Sequence, residues 1–235
     1  MKVDFIETEN YTTVLEAIQN LKRLPMDAPR IGLAFGNYGL GKTSALERIA
    51  AQDDSILLMR AGQTWSKRSA LDILCTEFGL DTKGHSPKLF ERVRDHLLRE
   101  EVTIVVDEVD TILKGPKVEV LEMFRDLHDE TGTVVFFIGM EEANAKFKRH
   151  RHYYSRIVQK VKFKPIGIND IEKFCQLCEV KIDADLLHYL SKQWPNLREI
   201  RVMLLRLEEY CEMNGFVEVD LKTFKGSGVE NGIKG

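Results

Sequence analysis

Four cysteines in 235 residues, Cys75, Cys175, Cys178 and Cys211, are too few and too scattered for a disulfide framework. Cys175 and Cys178 have the spacing of half a zinc site, but no second pair follows. On a helix the two share one face, where packed free thiols are common. His150 and His152 have no cysteine or acid at a suitable ligand spacing. No apolar run is long enough to span a bilayer. The start, Met1-Lys2-Val3-Asp4, runs quickly into Glu7 and Glu9 and does not read as a signal peptide. A cytoplasmic protein without membrane contact is expected. Internal repeats and low-complexity blocks are absent. So is an excess of positive charge: the formal net charge is -3. Any nucleic-acid contact must then come from a local patch and not from the global field. What remains is ordinary globular composition, 43% hydrophobic and 30% charged. It suffices for one large α/β domain or a domain with a small appendix.

Against that background one stretch stands out. Gly36-Asn37-Tyr38-Gly39-Leu40-Gly41-Lys42-Thr43 fits G-x-x-x-x-G-K-[ST], the phosphate-binding P-loop. The apolar run Ile31 to Phe35 before it reads as a buried strand. Ala45, Leu46, Ile49 and Ala50 after it share a helical face. Gly36, Gly39 and Gly41 let the backbone turn sharply and bring N–H groups to phosphate oxygens. The following helix start adds positive potential. Lys42 is expected on the β- and γ-phosphates of ATP and Thr43 on Mg²⁺. Gly36 to Thr43, with Asn37, Tyr38, Leu40 and also Ser44, form the expected nucleotide-binding set.

A second stretch, Val102 to Val106, reads as a buried strand ending in Asp107 and Glu108. Behind a P-loop this is the Walker B pattern. Asp107 is expected to serve Mg²⁺ with Thr43, and Glu108 to polarise an attacking water as general base. A small-molecule kinase has no need of the second carboxylate.

The rest alternates. A helix is expected over 11–24, capped by Asn10 and stopped by Pro25. A short strand spans 56–59, and a polar loop 61–68 leads to a helix ending at Gly79. Ser86-Pro87 opens another helix. A helix around 117–131, a buried strand 134–138 and a helical stretch 141–149 follow. In 158–164, Val161 and Phe163 alternate with Lys160, Lys162 and Lys164, as on a protected sheet edge. After Pro165 the pattern is wholly helical: 169–178, 183–193 and 196–213, the last opened by Asn196 with Glu199 as a capping box. The expected organisation is an α/β nucleotide-binding core over 1–165, a helical lid over 166–225 and a flexible, glycine-rich tail over 226–235.

Strands and helices in alternation, a P-loop, then a helical lid: the chain resembles an AAA+ ATPase from about residue 10 to 222. The resemblance implies a parallel five-stranded sheet with flanking helices. It implies ATP hydrolysis at a site shared between subunits. Arg156, in Tyr154-Ser155-Arg156-Ile157, matches the arginine finger that reaches a neighbour, with Arg149 and Arg151 as rivals. Arg198, in Asn196-Leu197-Arg198-Glu199, resembles the sensor-2 arginine. A cation in the first turn works mildly against the helix dipole, which suggests a use. Sensor 1 falls at Met140, which is not polar. Glu141 or Asn144 is the substitute.

Ile138-Gly139-Met140-Glu141, Ser155-Arg156-Ile157 and Asn196-Leu197-Arg198-Glu199-Ile200 are similar to transposition regulators of the MuB and TnsC type, in the initiator-like clade. Such proteins form ATP-bound rings or filaments on double-stranded DNA and recruit a transposase. MuB-type members carry an N-terminal helix-turn-helix domain. Too few residues precede the P-loop strand here, so DNA contact is expected from the core. The candidates are Thr64, Ser66, Lys67 and Arg68, then Lys83 and Lys88, whose few charges would be multiplied along an array. Trp65 stacks on DNA or covers the next helix. The basic run from Lys146 to His152 borders the finger and suits a subunit contact as well as DNA. The other readings are an AAA+ loader or secretion-associated switch acting without DNA, and a P-loop transferase, which Glu108 and the lid oppose.

Overall fold

The computed structural model describes residues 4–114 and 118–231. They fall into two compact units. The first holds 13–37 and 43–162; the second holds the chain up to Thr12, 38–42 and everything from Phe163 on.

The chain begins with α1 (Glu9–Arg23). The expected cap Asn10 lies inside this helix. Thr8 is the cap instead, its hydroxyl accepting the Tyr11 N–H at 3.2 Å, while Asn10 pairs with the backbone of Lys164 on both sides of its amide. Then come β1 (Ile31–Phe35), α2 (Lys42–Gln52), β2 (Ile56–Arg60), α3 (Lys67–Glu77) and α4 (Ser86–Leu97). Next are β3 (Thr103–Asp107), a 3₁₀ turn (Val109–Thr111), α5 (Val118–Thr131) and β4 (Val134–Gly139). The expected start of α5 at residue 117 lies outside the described residues. The unit closes with α6 (Ala143–Arg149), α7 (Arg151–Tyr154) and β5 (Ile157–Lys162).

The five strands form one parallel sheet in the order β2-β3-β4-β1-β5. Every residue of β1, β3 and β4 is buried, as an apolar run covered on both faces must be. Edge strand β5 alternates buried and exposed positions, so its lysines stand in solvent as expected of a protected edge. Gly32 of β1 lies opposite Phe136 of β4. A Cβ there would meet the Phe136 ring at 2.3 Å, so the aromatic core needs a bare backbone at this point. Parallel order brings the C-terminal ends of β1, β3 and β4 to one edge, where α/β sheets place ligands.

The second unit holds α8 (Ile168–Cys175), β6 (Lys181–Ile182), α9 (Ala184–Gln193), α10 (Leu197–Asn214), β7 (Glu218–Val219) and α11 (Leu221–Ser227). Trp194, Phe224 and Tyr189 meet edge to face at its centre. The short β6–β7 pair and α11 have no signal in the sequence strong enough to foresee. α11 carries helix into the stretch from Gly226 on, as far as Ser227. Phe224 of α11 is fully buried, and Glu230 accepts from the Tyr189 hydroxyl at 3.2 Å. Residues 232–235 of that tail lie outside the described residues. Among the described residues no helix is long and apolar enough to cross a membrane.

Candidate nucleotide site and nucleic-acid interface

The glycine loop leaves β1 and closes on the first turn of α2. Gly39 and Gly41 hold φ of +72° and +82°, where a side chain is strained. A side chain would also force its neighbours to move. A Cβ on Gly39 would lie 2.2 Å from Asn196 Oδ1, and one on Gly41 2.7 Å from Leu197 Cδ2. Asn196 caps α10, accepting from the N–H groups of Arg198 and Glu199 at 3.0 and 3.4 Å. Its amide also donates to the Tyr38 carbonyl at 3.3 Å, and the Arg198 N–H reaches the Gly39 carbonyl at 3.3 Å. The first turn of α10 is thereby tied to loop residues 38–42, and the Arg198 side chain is exposed.

In the first unit, the Thr43 hydroxyl donates to Asp107 Oδ2 at 2.9 Å. Asp107 is only 4% exposed, and its other oxygen accepts the Glu108 N–H at 2.8 Å. A hydroxyl and a carboxylate so placed are hard oxygen donors of the kind Mg²⁺ takes. Glu108 has φ 57° and ψ 35°, the one non-glycine with positive φ among the described residues. For an L-residue this costs roughly 1–2 kcal/mol. The turn sends the chain from β3 into the 3₁₀ turn and leaves the Glu108 side chain 55% exposed, while Val109 beside it is buried.

Sequence reasoning missed Arg60. It ends β2 and lies opposite Asp107 in the strand register. Its guanidinium stands 3.8 Å from Glu108, 4.0 Å from Asp107 and 3.6 Å from Glu47 on α2. A cation thus faces both Walker B carboxylates. The only local signal was an arginine closing an apolar run. Asp110 was likewise unassigned. It accepts from the Met140 N–H and from Lys146 Nζ, the latter at 2.9 Å, and so joins the ends of β3 and β4.

Of the two sensor-1 substitutes, Glu141 is bound to Lys162 at 2.6 Å. Asn144 buries its carbonyl oxygen without a hydrogen-bond partner. Arg156 lies just before β5, and its guanidinium grips Asp129 of α5 through two contacts at 3.0 and 2.9 Å. It also donates to the His152 carbonyl at 3.0 Å.

The expected DNA loop is altered most. Lys67 and Arg68 belong to the first turn of α3, and Ser66 is its N-cap. Arg68 is held within the chain: its Nε pairs with Asp72 at 2.9 Å and its other nitrogens donate to the carbonyls of Gly84 and Thr82. That engages three of its five N–H donors. Lys67 sits over the Phe90 ring at 5.8 Å. Trp65 is buried against Phe124, so it covers the helix start and does not offer a stacking surface. Thr64, Lys83 and Lys88 remain exposed.

Cys175 and Cys178 line a cavity of about 320 Å³ in the second unit with Glu172 and Glu179. Burial pushes both thiols up to about 12, which keeps them protonated. Among the described residues, no three His, Cys, Asp or Glu side chains converge as a metal site.

Comparison with solved structures gives the fold a context. The chain is similar to the ORC2 protein of Aeropyrum pernix in its ADP form, at TM-score 0.70 and 15% identity over 98% of this chain and 70% of that one. It is similar to the ORC1 protein of the same organism in complex with DNA, at TM-score 0.65 and 16% identity over 96% of this chain and 66% of that one. It is also similar to domain III of the Thermotoga maritima replication initiation protein DnaA, at TM-score 0.61 and 18% identity over 98% and 95%. The chain therefore spans about two thirds of the length of the ORC1 protein it matches. At such identities the likeness is one of fold. No curated protein matches the chain. The AAA domain model matches residues 26–147, slightly more than half of the chain, which therefore belongs to the AAA domain family.

Proposed function

We propose that the chain is an ATP-hydrolysing switch that assembles in many copies on duplex DNA and regulates DNA transposition. The carrying observation is the Thr43–Asp107 contact at 2.9 Å, made by the residue that follows a glycine loop in sequence, in which Gly39 and Gly41 take positive φ. The two oxygens suit Mg²⁺, and the loop amides with the Lys42 ammonium suit the phosphates. Bound ATP with Mg²⁺ supplies a phosphoanhydride whose charge is already partly neutralised. The chain's own groups do the rest. Glu108 takes a proton from the attacking water, its carboxylate set by the left-handed turn and faced by Arg60. Arg156, once free of Asp129, stabilises charge in a neighbouring copy, and Arg198 serves its own. On this reading residues 1–165 are the nucleotide-binding core and 166–225 the lid.

The ORC1 protein that the chain resembles was solved in complex with DNA, which supports DNA as a partner. The motif resemblance to MuB- and TnsC-type proteins supports transposition and a transposase partner. A second reading, a loader-type switch on a protein partner, is favoured by the net charge of -3. Sedimentation with a non-hydrolysable ATP analogue, with and without duplex, separates them. We expect assemblies that need both. Glu108→Gln is expected to hold the assembly in ATP, and Arg156→Ala to bind nucleotide without turnover. A wild-type chain that binds nucleotide yet stays a single subunit with duplex present would overturn the reading.

A further inference from the structure

The densest free positive charge lies on α6, α7 and β5. Lys148, Arg149, Arg151 and His152 are exposed on two short helices that His150 breaks apart. Tyr154 gathers lysines from two elements: Lys160 Nζ of β5 is 4.0 Å from its ring centroid and Lys148 Nζ of α6 is 5.9 Å away. The acids nearby are already spent. Asp110 holds Lys146, Glu141 holds Lys162, Asp129 holds Arg156 and Asp126 holds Arg125. Among the described residues no carboxylate forms an ion pair with Lys148, Arg149, Arg151 or Lys160. Glu142 stands at the opposite end of α6 from the cluster.

We infer that this α6–α7–β5 face holds the sugar-phosphate backbone of duplex DNA. The inference rests on the DNA-binding reading above and relocates its contact from α3 and α4. Cations without internal partners gain from phosphates what paired ones have already gained, and they release counterions in doing so. Arg149 and Arg151 offer planar forks that match phosphate oxygens. The Tyr154 ring keeps two lysines in place, which lowers the ordering cost of contact. Arg68, with every nitrogen already engaged inside the chain, offers less of this.

The test is fluorescence anisotropy on a labelled mixed-sequence duplex, with ATP analogue and Mg²⁺, across a series of salt concentrations. Each phosphate contact adds about 0.9 to the slope of log affinity against log salt. Lys148→Gln with Arg149→Gln and Arg151→Gln is expected to lower that slope by about 2 to 3, with nucleotide binding by the monomer retained. Lys83→Gln with Lys88→Gln, the rival placement, is expected to leave it unchanged. An unchanged slope in the triple variant, or a fall in the double variant alone, overturns the inference. A wild-type chain that ignores duplex at low salt would instead overturn the DNA reading itself.

Discussion

Replacing Glu108 by glycine is expected to make the fold more stable than replacing it by alanine. Both variants lose the carboxylate and its contact with Arg60, so that difference cancels between them. The contact is minor in any case: it is 3.8 Å long and both side chains are 55% exposed. What differs is the backbone. At φ 57° and ψ 35° a Cβ costs roughly 1–2 kcal/mol, and glycine does not carry that cost. Glycine loses about 0.4–1 kcal/mol through its freer unfolded chain. The balance favours Glu108→Gly over Glu108→Ala by about 0.5–1 kcal/mol, or roughly 1–4 °C in midpoint for a chain of this size. Urea denaturation of both variants, without nucleotide, measures it. Turnover should be lost in both, since neither can accept a proton from water. The wild type would then keep a strained turn because the turn aims a carboxylate. An alanine variant as stable as the glycine variant would refute the left-handed turn as a source of strain.

Two further perturbations probe the scaffold. Arg30, nearly buried, donates to the carbonyls of Leu21, Lys22 and Gly132 at 3.1, 2.8 and 3.0 Å. Arg30→Met should leave three acceptors short of a donor and lower stability by about 2–4 kcal/mol, read by urea denaturation, with nucleotide affinity unchanged in the folded fraction. Asp170 is buried, and burial pushes its carboxyl above the ordinary range despite accepting the Glu9 N–H at 3.2 Å. A raised folded-state value means the folded chain holds that proton more tightly. Ionised Asp170 therefore opposes folding at neutral pH, and the penalty fades as pH falls through the folded value. Asp170→Asn should be the more stable chain at pH 7, with its advantage vanishing towards about pH 4. An advantage that grows on acidification would reverse the sign of the argument.

Local chemistry was legible in the chain alone. The glycine loop with Lys42 and Thr43, and the strand ending in Asp107 and Glu108, need only sequence-adjacent residues, so each reads without knowledge of the fold. Buried parallel strands announced themselves as unbroken apolar runs, and Ser86-Pro87 marked the start of α4 to the residue. Contacts between distant elements were another matter. Arg60 meets Glu108 because β2 pairs with β3 in a register that puts it across from Asp107. Arg68 stands one turn from Asp72 on α3, a pairing visible in the sequence, but only the fold brings the carbonyls of Thr82 and Gly84 to its other nitrogens. Arg156 looked free until α5 presented Asp129. A cation's availability depends on which acids the fold sets beside it, and that is a property of tertiary packing. The amino-acid order determined which groups could bind a triphosphate; the folded chain decided which of its arginines are left to bind anything else.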